Sequence, residues 1–162
     1  MSLWYAKSMN LLVCGGCGFI GSNFIRYILN NHPNIEITNY DKLTYAGNQD
    51  NLNDIQHNPK YKFIQGDITN EKKLNEVAKE NFDAIINFAA ETHVDRSIHH
   101  NSKDFVMTNF VGVHTILEAV RKYDIKKYIQ ISTDEVYGSL ELDDERKFKE
   151  HHNKDPTSPY AA

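Results

Sequence analysis

Apolar residues along this chain recur at two different spacings, and the switches between them mark out strands and helices. Met9 to Cys14 is a short apolar run that stops at Gly15-Gly16, which predicts a buried strand. From Phe19 the spacing becomes helical: Ile20, Phe24 and Ile28 stand four apart, and Ile25 and Leu29 widen the stripe. The run Asn30-Asn31-His32-Pro33 ends that helix. Ile35 to Tyr40 and Tyr61 to Gln65 predict a second and a third strand. Asn70 then caps a helix that carries Leu74, Val77 and Ala78 on one face, with Glu71 favourably placed in its first turn.

Phe82 to Ala90 is apolar almost throughout and predicts a strand covered on both sides. A long helix is predicted over roughly Ser102 to Tyr123. Val106, Phe110, Val113, Leu117 and Val120 form one stripe along it, and Phe105, Ile116 and Ala119 a second. A helix apolar on two sides needs two partners, here the sheet and a second protomer, so a homodimer through the 102–123 helix is expected. Lys127 to Ser132 predicts a fifth strand, 143–155 a charged surface loop, and Pro156-Thr157-Ser158-Pro159 the lead into a helix that stops at Ala162. Strands and helices in strict alternation imply parallel strands joined by right-handed crossovers. The fold class is therefore α/β, a Rossmann-like doubly wound parallel sheet.

Composition narrows the function. The chain has 162 residues, 40% apolar and 25% charged, as a single soluble domain does. Eighteen Lys and Arg against 22 Asp and Glu leave a net charge of −4, which argues against nucleic acid or an anionic membrane surface as partner. No apolar run approaches the ~20 residues of a bilayer span. Residues 1–8 are too short and polar for a secretory signal, and read as a leader or an added remnant before the natural-looking start at Met9. Two cysteines close together, Cys14 and Cys17, make no disulfide framework and fit a reducing cytoplasm. Their C-x-x-C spacing lies across a glycine turn with no second pair to complete a zinc site, so they are read as small space-filling residues and no metal is expected.

Chemistry concentrates at two strand ends. Gly15-Gly16-Cys17-Gly18-Phe19-Ile20-Gly21 lies between the first strand and first helix, the context that gives a glycine pattern meaning. The glycines allow a sharp turn and a close approach of backbone to a pyrophosphate, and the helix N-terminus offers N–H groups and a partial positive charge. Asp41 follows Gly21 by 20 residues, at the end of the second strand, where a carboxylate can accept from both ribose hydroxyls and repel a 2′-phosphate. NAD is thereby favoured over NADP, and Lys42 weakens the preference without reversing it. Ser132-Thr133-Asp134-Glu135 follows the fifth strand, where adjacent carboxylates in a partly dry crevice can divide acid and base work.

Together with Tyr-Asp-Lys-Leu-Thr-Tyr-Ala-Gly-Asn (40–48), Gly-Asp-Ile (66–68), Ala-Ala-Glu-Thr-His-Val-Asp-Arg-Ser-Ile (89–98) and Pro-Thr-Ser-Pro-Tyr-Ala-Ala (156–162), these segments resemble the extended short-chain dehydrogenase/reductase family, and within it the dTDP-glucose 4,6-dehydratase branch. The adjacent acids of Thr-Asp-Glu discriminate, because related epimerases usually lack them. The resemblance implies that Gly15, Gly18, Gly21, Phe19, Ile20, Asp41, Lys42, Leu43 and Thr44 contact the NAD cofactor, with Asp67 and Ile68 beside the adenine. Ala89, Ala90, Glu91, Thr92 and Thr108 would line the cofactor, and His93 would touch the sugar.

Tyr160 would take the C4 hydroxyl proton, Thr133 hold that hydroxyl, Glu135 remove the C5 proton and Asp134 protonate the departing C6 hydroxyl. For Asp95 and Arg96 a loop-supporting network is the preferred reading, and the pairs His99-His100 and His151-His152 read as solvated loops. Cys14 and Cys17 stand where the family usually has Thr and Ala. The family's lysine four residues after the tyrosine would fall beyond Ala162, as would the later strands and the substrate domain. The expectation is thus an incomplete nucleotide-binding domain over 9–162, with little turnover as an isolated polypeptide and with an apolar sheet edge and face left uncovered. Two other readings stay open. One is another nucleotide-sugar epimerase or dehydratase of the same fold; the other is a non-catalytic NAD-binding module.

Overall fold

A computed structural model describes residues 8–99 and 102–162. The expectations for residues 1–7 and His100 lie outside the described residues. Five parallel strands pair in the order β3-β2-β1-β4-β5: β1 (Met9–Cys14), β2 (Ile35–Asp41), β3 (Tyr61–Gln65), β4 (Ala84–Asn87) and β5 (Lys127–Gln130). Cys14 lies opposite Tyr40 on one side and Asn87 on the other, so the three central strands end level with one another.

The pleat of the strands divides the core in two. Leu11, Val13, Ile37, Ala84 and Ile86 face α1 (Phe19–Asn31) and the 49–58 segment, which brings in Leu52 and Ile55. Leu12, Cys14, Tyr40 and Ile85 face α2 (Glu71–Ala78) and α5 (Val113–Lys122) through Leu74, Val77, Ile116 and Ala119. Burial on both faces explains why β1 and β4 read as unbroken apolar runs. Asn70 caps α2 as expected, its side chain accepting from the Lys73 N–H.

Three elements differ from the sequence expectation. The run 82–90 pairs as a strand only over Ala84–Asn87; Phe88 N still reaches Cys14 O at 2.8 Å, and Phe88 to Ala90 line a cleft. The fifth strand pairs through Gln130, one Ile131 N–H reaching Asn87 O, and Ile129 and Ile131 remain exposed. The third difference lies in the 102–123 region, which is not one uniform helix. It consists of α4 (Ser102–Phe105), a π-helical stretch (Val106–Gly112) and α5, and it is preceded by an unexpected short helix, α3 (Val94–His99).

The π stretch winds wider than an α-helix, so it shifts the register of the face that follows. Gly112, at its end, packs so closely on Ile68 that an added Cβ would stand 2.5 Å from Ile68 Cδ1. Ile116 and Ala119 are buried against the sheet and Phe105 is buried too, whereas Val106, Phe110 and Leu117 are exposed. The two predicted stripes separate only in part: of the first, Val113 lines a cleft and Val120 packs against the sheet-side core, because the π stretch shifts the register of the face that follows. Among the described residues, no helix is long and apolar enough to cross a membrane.

Candidate functional site

A cleft of about 530 Å³ opens at the carboxyl end of the sheet, where strand order reverses between β1 and β4. Open α/β sheets bind ligands at this place. Its floor is the glycine turn, with Gly15, Gly18 and the first residues of α1. Gly15 holds φ +77°, and a Cβ there would lie 2.4 Å from Ala89 N, so neither the turn nor the β4 exit admits a side chain. Gly18 caps α1 without any side-chain hydrogen bond, and no acid occupies the first helical turn. The amino end of the helix therefore faces the cleft with its partial positive charge and with no side-chain cap. Phe19 and Ile20 project from that turn, both largely exposed.

One wall comes from the ends of β2 and β3. Asp41 is 7% exposed, and both its carboxylate oxygens accept backbone hydrogen bonds: Oδ2 from Cys17 N and Oδ1 from Leu43 N, each at 2.8 Å. The residue expected to grip a ligand also fastens the glycine turn to the loop after β2. Each oxygen keeps a second lone pair for a hydroxyl. Leu43 adopts φ +60°, a strained backbone that the Asp41 bond helps hold, and its side chain packs with the α1-side core rather than lining the cleft.

Lys42 forms an ion pair with Asp67 at 2.7 Å, which holds the ammonium pKa above its ordinary value. Partial burial pushes the Asp67 carboxyl upward, but the Lys42 pair and the bonds from Thr69 outweigh it and hold it below its ordinary value. Thr44 and Ile68 complete this wall.

The opposite wall runs from Ala89 to Thr92 and includes Thr108. Asn109, in the π stretch, fixes it: its side-chain amide accepts from Glu91 N at 2.8 Å and donates to Glu91 O at 2.9 Å. Sequence reasoning missed Asn109, and also Asn87, whose amide accepts from Ala89 N and donates to Gln130. An amide at the last position of an apolar strand is the one signal that could have found Asn87. Asn109 has none, because its neighbour at Glu91 is set by the winding of the helix. Glu91 Oε2 is buried without a hydrogen-bond partner among the described residues.

At the far end, Thr133 and Tyr160 line the cleft, whereas Asp134, Glu135 and His93 do not. Asp134 and Glu135 open a 3-10 turn, Asp134–Tyr137, capped by Thr133, whose hydroxyl accepts from Glu135 N at 3.3 Å and reaches Asp134 Oδ1 at 3.4 Å. Tyr160 stands in a single turn closed by Ala161 N and Ala162 N on Ser158 O. His93 Nδ1 accepts from Arg96 N at 3.4 Å at the start of α3. His151 and His152 pack edge to face, with His152 against Phe148. Cys14 and Cys17 are fully buried, and burial with the nearby Asp41 charge pushes their thiols up to about 12 and about 11. Among the described residues, no group of three or more His, Cys, Asp or Glu could hold a metal ion.

This arrangement of turn, acid and walls has counterparts in known proteins. The family model for GDP-mannose 4,6 dehydratase matches residues 12–162. The chain belongs to that family. It is 46% identical to the dTDP-glucose 4,6-dehydratase of Mycobacterium tuberculosis over 154 residues, 95% of this chain and 45% of that protein. A dTDP-glucose 4,6-dehydratase of Bacillus anthracis, solved in complex with NAD, superposes with a TM-score of 0.83 at 45% identity, covering 94% of this chain and 46% of that one. The UDP-Glc/GlcNAc 4-epimerase of Campylobacter jejuni has the same fold, with a TM-score of 0.84 at 27% identity over 94% of this chain and 45% of that one. The chain thus spans about half the length of the relatives it matches.

Proposed function

We propose that the cleft binds NAD and that the protein carrying it dehydrates dTDP-glucose to the 4-keto-6-deoxy sugar nucleotide. The observation that carries the reading is the shared opening of an uncapped α1 N-terminus and Asp41 onto one cleft. The donor set suits a dinucleotide diphosphate: backbone N–H groups and a helix dipole at the turn, and an acceptor carboxylate beside it. Because Asp67 already pairs with Lys42, that ammonium is drawn away from compensating a 2′-phosphate, and Asp41 repels one. NAD is the better fit. Gly15, Gly18, Gly21, Phe19, Ile20, Asp41 and Thr44 would hold it, with Asp67 and Ile68 farther along that wall and Ala89 to Thr92 and Thr108 opposite.

When bound, NAD supplies a hydride acceptor for C4 of the sugar and the hydride donor for C6. Tyr160 takes the proton of the C4 hydroxyl, which Thr133 orients. The resulting C4 ketone acidifies C5–H, because the carbanion charge spreads onto oxygen, and Glu135 removes that proton. Asp134 protonates the C6 hydroxyl so that it leaves as water, and Glu135 returns its proton to C5. Asp134 and Glu135 would have to turn toward the substrate from their 3-10 turn. The exposed Val106, Phe110 and Leu117 stripe would meet a second protomer, and the two free thiols suit a reducing cytoplasm.

Calorimetric titration with NAD⁺ and NADP⁺ tests the cofactor. The expected result is at least tenfold preference for NAD⁺, lost in Asp41→Ala; equal affinities would overturn it. With the whole protein, conversion of dTDP-glucose ahead of UDP- and CDP-glucose is expected, and a preference for interconverting UDP-sugars at C4 would favour the epimerase reading instead.

A further inference from the structure

The loops that carry the two walls of the cleft touch each other through residues just outside its lining. The Arg96 guanidinium carbon lies 4.9 Å from the centre of the Tyr45 ring. Tyr45 sits between Thr44 and Ala46, both on the β2-side wall, and Arg96 belongs to α3, just beyond Thr92 at the end of the β4-side wall. Since β2 and β4 flank β1 on opposite sides, a contact between their following loops crosses over the end of β1. Both stems are anchored. Gly47 N and Ala46 N bond back to Thr44, and Asn48 N reaches Cys17 O in the glycine turn. On α3, the buried Ser97 donates to Val94 O. The tips are less restrained, with Tyr45 64% exposed.

We propose that Tyr45 and Arg96 form a clasp across the cleft that sets how fast the dinucleotide enters and leaves. The proposal rests on the reading of the cleft as an NAD site. A reaction that removes a hydride from the sugar and returns it later fails if the reduced dinucleotide departs in between, so a barrier to exchange serves it directly. The contact uses atoms of the two loops and none of the ligand's. A contact that the ligand neither makes nor breaks governs passage rather than equilibrium affinity, and the clasp acts in that way. An exposed cation–π contact shifts the open fraction by about two- to five-fold.

The test is stopped-flow binding and release of NADH, followed by its fluorescence, on the whole protein with Arg96→Met, Tyr45→Leu and both together. Association and dissociation rate constants should rise by the same factor, about two- to five-fold, while Kd stays within twofold of the parent. The double variant should match either single one, and Tyr45→Phe, which keeps the ring face, should keep the parent rates. Unchanged rates, or a rise in Kd carried by dissociation alone, would overturn the clasp while leaving the cofactor reading intact. If Arg96→Met does not fold, Tyr45→Leu at its exposed position gives the same decision. A parent protein that takes up no NADH overturns the cofactor reading and the clasp with it.

Discussion

Replacing Asp41 with Asn separates the two jobs the structure gives this side chain. The carboxylate receives the Cys17 N–H on one oxygen and the Leu43 N–H on the other, both at 2.8 Å, in a site 7% exposed. The amide of Asn has the same shape but only one oxygen, so one N–H keeps an acceptor and the other faces an NH₂ group. The loss is one charge-assisted hydrogen bond, worth about 1.5–3 kcal/mol, together with desolvation of an N–H left without a partner, about 1–3 kcal/mol. These overlap, and Asp41→Asn is expected to cost about 2–4 kcal/mol, a large part of the stability of a domain this size.

Urea unfolding at fixed pH measures the loss as a fall in midpoint with unchanged slope. Amide hydrogen exchange locates it: protection should drop at Cys17 or Leu43 while Leu12 and Ile85, deep in β1 and β4, change only as global stability does. A loss below about 1 kcal/mol, with exchange unaltered at both Cys17 and Leu43, would refute the claim that Asp41 ties the glycine turn to the β2 loop.

Asn109→Ala removes both bonds to the Glu91 backbone; an expected cost of about 1.5–3 kcal/mol in urea unfolding should come with weaker NAD⁺ binding by calorimetry, because the Ala89 to Thr92 wall loses its tether. Unchanged NAD⁺ binding in a folded Asn109→Ala would detach that wall from the cofactor. Cys14 and Cys17, with thiols raised to about 12 and about 11 and no exposed surface, should resist a thiol-reactive dye at pH 7.5 in the native protein and label fully in urea. Labelling of either cysteine in the native state at the rate of an unfolded peptide would contradict the packing of the glycine turn.

How the sequence met the structure differs by element. β1, α1, β2, β3 and α2 follow from spacing and punctuation, because each is a local pattern of apolar residues closed by a Gly, Pro or capping Asn. The glycine turn was legible for the same reason: its conformational demand at Gly15 is written in the residue type. The predicted 82–90 strand ran too long because Phe88, Ala89 and Ala90 are apolar, and apolarity does not tell a residue in a ladder from one lining a crevice. The long helix was recognised as helical, but its π stretch was not, since the pattern of stripes tolerates a wider turn.

What the chain's order of residues determined, then, is the alternation of strands and helices, the parallel sheet that follows from it, and the presence of a phosphate-sized turn beside an acid. Tertiary structure alone decided that Asp41 accepts backbone N–H groups on both oxygens, that Asn109 holds Glu91, and that Tyr45 meets Arg96. The physical reason is separation along the chain. Patterns of period two or 3.6 report a residue's near neighbours, whereas these contacts join segments that only the folded sheet brings side by side.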